Sequence, residues 1–187
     1  MLGIGLAMAS LVLFVTLAVT TKHLSTRFPV PLLVWARYTV HCVLMVVLLA
    51  PTMRWRLLAT GKPGLHVLRA FLLLATSFGG VAAFKRMPLA ETTAIVFAAP
   101  LIVTLLARPL LGETIGRVRW LAVLVGFGGV LLVARPGSGL VLDGVLLALG
   151  TAVVYALYQL LTRKLSPTEH PLTLLFYTAL IGSAATS

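Results

Sequence analysis

Acidic residues are nearly missing from this chain: 4 Asp and Glu stand against 15 Lys and Arg in 187 residues. All four acids, Glu91, Glu113, Asp143 and Glu169, fall near the ends of apolar runs, so no carboxylate pair is placed for hydrolytic chemistry inside one. A Ser/His couple and an H-E-x-x-H metal motif are missing as well, which sets aside an intramembrane hydrolase or ligase. Cysteine is just as scarce. The single Cys42 permits no internal disulfide and offers no metal cluster, so it reads as a small packing residue, and neither metal nor cofactor is expected. Charged residues make up 10% of the chain, where a soluble domain carries roughly a quarter. A soluble fold is thereby excluded.

What is abundant is apolar: 60% of residues are hydrophobic and the mean hydropathy is +1.08. Length is then better counted in spans of roughly 20 residues, about seven of them. The net charge of +11 could suggest nucleic acid, but the basic residues sit in short clusters between apolar runs, without the interleaved aromatic face that RNA or DNA binding needs. The expected partners are a lipid bilayer and a small-molecule solute, with no nucleic acid.

Seven runs can be traced. The first, Leu2 to about Thr20, lacks a basic start and a cleavage site and so is a span, not a signal peptide. The second opens at Pro29 and Pro31 and ends at Pro51. The third covers about Leu65 to Phe84. The fourth, Leu89 to Leu111, contains Pro100 and ends at Gly112 and Glu113. The fifth, about Val118 to Ala134, ends at Arg135, Pro136 and Gly137, and the sixth covers about Leu140 to Leu161. The seventh begins at Pro171 and is unfinished at Ser187. In hydrocarbon each run must satisfy its own amides, which makes it a helix, because the alternation of barrel strands is missing. Small residues at helical spacing, Ala75, Gly79 and Ala83 on the third run and Ala122 and Gly126 on the fifth, let backbones approach closely. The stretch from Gly126 to Gly129 follows no strand and so belongs to this packing, not to a nucleotide loop.

A shift of 141 positions superimposes the start of the chain on its end. Gly3 then meets Gly144, Leu6 meets Leu147, Ala7 meets Ala148 and Val12 meets Val153. Phe14 pairs with Tyr155, Thr21 with Thr162, Lys22 with Arg163, Leu24 with Leu165, Ser25 with Ser166 and Leu33 with Leu174. Five spans separate the copies, an odd number, so the second copy must enter the membrane from the opposite side. An inverted repeat of this kind is a transporter architecture, in which rocking of one half against the other exposes a central site to each side in turn. The fold class expected is therefore an all-α polytopic transmembrane bundle with an inverted five-helix repeat whose second copy is truncated.

The run from Lys85 through Met87, Pro88, Glu91 and Ile95, then Ala99-Pro100-Leu101, then Leu110-Leu111-Gly112-Glu113, resembles the fourth span of the EamA-type drug/metabolite transporters. Trp120, the stretch Gly126 to Val130 and Arg37 in the second span fit the same pattern. The resemblance implies one complete five-helix unit at 1–134 and the beginning of a second at 144–187. It also implies a ten-helix carrier in the bacterial inner membrane. Seven spans would not complete that carrier, so either the sequence is a fragment or the product assembles with another chain or a second copy. A non-transporting membrane partner is the rival reading.

With the N-terminus cytoplasmic, nine basic residues lie in or beside cytoplasmic loops (Arg54, Arg56, Lys62, Arg69, Arg108, Arg117, Arg119, Arg163 and Lys164) and five on the other side (Lys22, Arg27, Lys85, Arg86 and Arg135). The positive-inside rule therefore favours that orientation. Four residues stand out as substrate-binding candidates: Arg37, His41, Glu91 and Pro100. A guanidinium two turns into a span costs at least about 2.5 kcal/mol unless it is paired or hydrated. Arg37 therefore either bridges to Glu91, at comparable depth, or holds an anionic group of a substrate. His41, one turn on, would supply a hydrogen bond or a titrating site. Pro100 is expected to kink the fourth span and free a carbonyl. Glu113 reads as a solvated loop charge or a clamp, and Tyr155, Tyr158 and Gln159 receive no role. The first span contains no acid, so proton coupling would have to use Glu91, His41 or a residue beyond the sequence.

Overall fold

The computed structural model describes residues 2–53, 60–112, 116–134 and 142–187. Arg54, Arg56, Glu113, Arg135, Pro136 and Gly137 lie outside the described residues. Eight helical segments follow one another, and among the described residues there is no strand: α1 (Leu2–Ser25), α2 (Val30–Met53), α3 (Pro63–Arg86), α4 (Leu89–Val96), α5 (Ala99–Leu111), α6 (Arg117–Ala134), α7 (Leu142–Leu165) and α8 (Pro171–Thr186).

Local chemistry sets most of the boundaries. Proline occupies the first turn of α3 and of α8, where its missing amide removes no helical bond. His170 caps α8, its ring Nδ1 accepting the Leu172 amide at 3.3 Å. Gly112 closes α5 in the left-handed region, at φ 72°, where a side chain would be strained. The expected kink is a break: α4 and α5 are two pieces of one span, separated at Phe97 and Ala98, with Pro100 in the first turn of the second piece. Pro100 has no amide to close a bond on the Val96 carbonyl. Pro51 does not end the second helix, which continues to Met53.

Among the described residues five apolar helical stretches are long enough to cross a bilayer: α1, α2, α3, the α4–α5 pair and α7, with α6 and α8 shorter. Their large apolar side chains face outward, Leu13 at 70% and Leu132 at 77% exposure, an inside-out arrangement suited to hydrocarbon. The chain is a multi-pass membrane protein.

Helix α3 is the hub. Along it Lys62, Arg69, Gly79 and then Met87 at its C-cap meet Thr168, Tyr158, Thr151 and Gly144 in turn, so α3 and α7 are antiparallel. Lys22, near the end of α1, donates its ammonium to the carbonyls of Phe84 and Met87 at the end of α3, so α1 runs with α3. It follows that α7 crosses in the opposite direction to α1, the relation the 141-residue repeat requires. The starts of α2 and α8, Val30 and Pro171, keep the same offset. Small residues permit the close contacts. Ala148, Ala152 and Ala156 are fully buried along one face of α7, and Gly144 packs on Met87. Of the small residues singled out in the sequence, Gly79 and Ala83 serve the central packing, Gly126 packs on Leu101, and Ala75 and Ala122 are exposed.

A polar seam between four helices

The four candidate residues do not form one cluster. Arg37 is exposed on α2 and His41 is half-buried one turn along. Glu91 is half-buried in the first turn of α4, where the helix dipole favours a carboxylate, and its Oε2 is buried without a hydrogen bond. Pro100 is exposed. No ion pair joins Arg37 to Glu91, because α2 packs against α3 and α8, whereas α4 packs against α7 and α6. Equal depth in the bilayer did not make them neighbours.

What the packing does bring together is a different set of polar groups. Arg69 is 2% exposed, four helical positions beyond Leu65 and roughly 9 Å along α3 from its start. Expected in or beside a cytoplasmic loop, it stands within α3, and a guanidinium at this depth needs acceptors and here has them. Nε donates to Thr162 Oγ1 at 2.8 Å, and Nη1 donates to the Leu174 carbonyl at 2.7 Å and to Thr178 Oγ1 at 2.5 Å. Nη2 donates to the Tyr158 hydroxyl at 2.7 Å, and the guanidinium carbon lies 4.7 Å from that ring's centroid. Each acceptor comes from α7 or α8, so one side chain of α3 ties together three helices.

Tyr155 stacks on Tyr158, with 5.9 Å between centroids and planes 11° apart. Tyr38, 2% exposed on α2, shares a 3.1 Å hydrogen bond with Ser77 of α3. Arg37 is within electrostatic reach of Tyr38, His41 and Tyr155. A seam of polar and aromatic groups thus runs between α2, α3, α7 and α8. A shallow apolar groove of about 430 Å³ elsewhere on the α3–α7 contact, lined by Ala75, Gly79, Leu146, Gly150, Thr151 and Val154 with Asp143, shares none of these side chains.

Sequence reasoning missed Arg69 and its cage. The usable signal was a polar pair four apart on the sixth run, Tyr158 with Thr162, and a further hydroxyl on the seventh, Thr178, that had no visible use in hydrocarbon. Finding their partner required knowing that α3 packs on both.

Oppositely directed bilayer-crossing helices with buried polar groups between them are features of transporter architectures. The chain belongs to the EamA-like transporter family, whose model matches residues 1–135. It is similar to the S-adenosylmethionine uptake transporter of Rickettsia bellii, 26% identical over 180 residues covering 96% of this chain and 62% of that protein. The riboflavin transporter of Vibrio cholerae is 31% identical over 125 residues, 66% of this chain and 42% of that protein. The riboflavin transporter of Brucella anthropi is 30% identical over 161 residues, 85% of this chain and 56% of that protein. The chain therefore spans between 42% and 62% of the length of these relatives. No solved structure gives a significant match.

Proposed function

We propose that this chain is part of a carrier that moves a small metabolite across the bacterial inner membrane by alternating access, with its N-terminus in the cytoplasm. In this reading residues 1–134 form one five-helix unit and residue 144 onward begins a second. The seam lies where the two meet: Arg69 belongs to the first unit, and its acceptors belong to the second. The opposed crossing of α1 and α7 supports rocking of one unit on the other.

The observation that carries the reading is the seam itself, since charged groups within hydrocarbon are costly and rare and mark substrate and ion pathways. The relatives are named for S-adenosylmethionine and riboflavin, both of which carry a flat heteroaromatic ring. The matching class for this chain is a small metabolite with such a ring and a polar tail. The Tyr155–Tyr158 stack offers a ring surface, and Arg37, which forms no ion pair with a carboxylate among the described residues, attracts an anionic group, with His41 beside it. Glu91 and Pro100 border the break in the fourth span, where the released Val96 carbonyl adds an acceptor.

Uptake of labelled riboflavin and S-adenosylmethionine into liposomes holding the chain tests this. Arg37→Ala is expected to lower uptake of S-adenosylmethionine, whose carboxylate it would hold, at least about tenfold, the effect of losing roughly 1.4 kcal/mol of binding, while insertion and thermal stability stay unchanged. Unchanged uptake in the variant would remove Arg37 from the site. Absence of flux with the chain alone, restored by a second chain supplying further spans, would identify it as a partner subunit.

A further inference from the structure

A second buried polar group lies one turn from Arg69, at the end of the bundle where α3 begins, and the seam does not use it. His66 is completely buried, and neither of its ring nitrogens makes a hydrogen bond. Its Nε2 lies 3.4 Å from Oε2 of Glu169, which is itself buried in the turn joining α7 to α8. Tyr177 of α8 closes the other side of the imidazole, with 4.7 Å between ring centroids. The pair therefore joins α3 to the α7–α8 hairpin, as Arg69 does further in.

We propose that His66 and Glu169 form a proton-binding site, and that protonation of the pair is linked to closure of this end of the bundle. The inference deepens the transporter reading and rests on it for its purpose, by naming the coupling ion. An ionised carboxylate sealed beside a neutral imidazole would be a buried charge without compensation, which is strongly unfavourable. One proton on the imidazole turns the contact into an ion pair, so the closed arrangement holds a proton. When the α7–α8 turn moves away from α3, water solvates both groups. The carboxylate then needs no partner, and the imidazole returns its proton to the water on that side.

The charged and titratable groups around the pair do not reverse this. Lys62 and Arg69 stand on the same helix, Tyr177 on α8 and Tyr158 on α7, and the exposed His170 follows Glu169 in the turn. Lys62 is solvent-exposed and binds Thr168. Arg69 stands three positions further along α3 and its charge is shared among four acceptors, whereas Glu169 touches the imidazole directly. Closing then takes up a proton and opening releases it, which supplies the coupling that alternating access needs, since binding and conformation must shift one another equally.

The test uses the full chain in liposomes with Cys42→Ala and spin labels at Gly64→Cys and Ser166→Cys. Both positions are exposed, and a side chain added at Gly64 meets no atom within 4 Å. Protons are the only ligand varied. Between about pH 5 and about pH 8, the range over which histidine changes charge, the population at the short inter-label distance is expected to fall at least fivefold. Glu169→Gln and His66→Gln are expected to abolish that dependence, Glu169→Asp to keep it with a shifted midpoint, and His170→Ala to leave it unaltered. A distance distribution indifferent to pH in the unsubstituted pair, or a full pH response surviving Glu169→Gln, would overturn the proposal. Riboflavin flux in the same vesicles separates the two readings. Flux with a pH-blind distance removes the proton site alone, and a pH-gated distance without flux of any tested solute removes the carrier reading alone.

Discussion

Arg69→Ala is expected to be among the most damaging single changes in the molecule, lowering the unfolding temperature in detergent and abolishing uptake together. The guanidinium makes four charge-assisted hydrogen bonds, each worth about 1.5–3 kcal/mol. Against this stands the desolvation of a buried cation, several kcal/mol in its own right. The net loss should be on the order of 3 kcal/mol, which corresponds to roughly 6–12 °C for a chain of this length. The acceptors left behind are not stranded: Thr162 and Thr178 already donate to the carbonyls of Tyr158 and Leu174, so the loss is of attraction and packing. Two further variants separate stability from function. Arg69→Met fills the space without charge and is expected to recover most of the stability and none of the uptake. Arg69→Lys keeps the charge, but one ammonium cannot span acceptors on two helices, so it should recover less stability than methionine. Thermal melts paired with liposome flux check all three, and wild-type flux in Arg69→Met would make Arg69 a purely mechanical clamp.

The membrane architecture was legible because the solvent writes it into the sequence. Hydrocarbon demands apolar runs of helical length, and each run read from the chain became a helix, the fourth as two pieces. Gly112 and Pro100 act through backbone geometry alone, so their effects on α5 and on the fourth span could be read without neighbours. The 141-residue repeat was visible because two copies of one helix keep the same small and polar positions. Side-chain meetings were not legible in this way. Arg37 and Glu91 share a depth, and depth is what a hydropathy pattern measures. Which helices adjoin is decided by small residues such as Gly144, Ala148 and Gly182, whose partners the pattern does not name. Arg69 lies close to a basic loop in the sequence, and its burial depends on hydroxyls some 90 to 110 positions later in the chain. His66 and Glu169 were hidden for the same reason, being unremarkable until α8 folds back on α3.

The contact of α2 with α8 gives the other large effect. A side chain at Gly182 would collide with the ring of Tyr38, which is 2% exposed and cannot swing into free space. Gly182→Ala must therefore push α8 off α2 or turn the ring out of its bond to Ser77, and Gly182→Leu must do both. Overpacking of this kind costs about 1–3 kcal/mol, and the lost hydrogen bond adds about 1 kcal/mol. The rest of the sequence supplies a control, since Gly80 and Gly150 lie within helices with nothing within 4 Å of an added methyl group. There alanine gains helix propensity, and Gly80→Ala and Gly150→Ala should be neutral or stabilising by about 0.5–1 kcal/mol. Opposite signs at Gly182 and Gly80, read from thermal melts of the three alanine variants, would establish that α8 seats directly on Tyr38. Because Arg37 precedes that tyrosine on the same turn of α2, the displacement should also weaken uptake more than Gly80→Ala does. Equal melting temperatures for Gly182→Ala and Gly80→Ala would mean that α2 and α8 are held apart in the membrane, and the seam between them would be open.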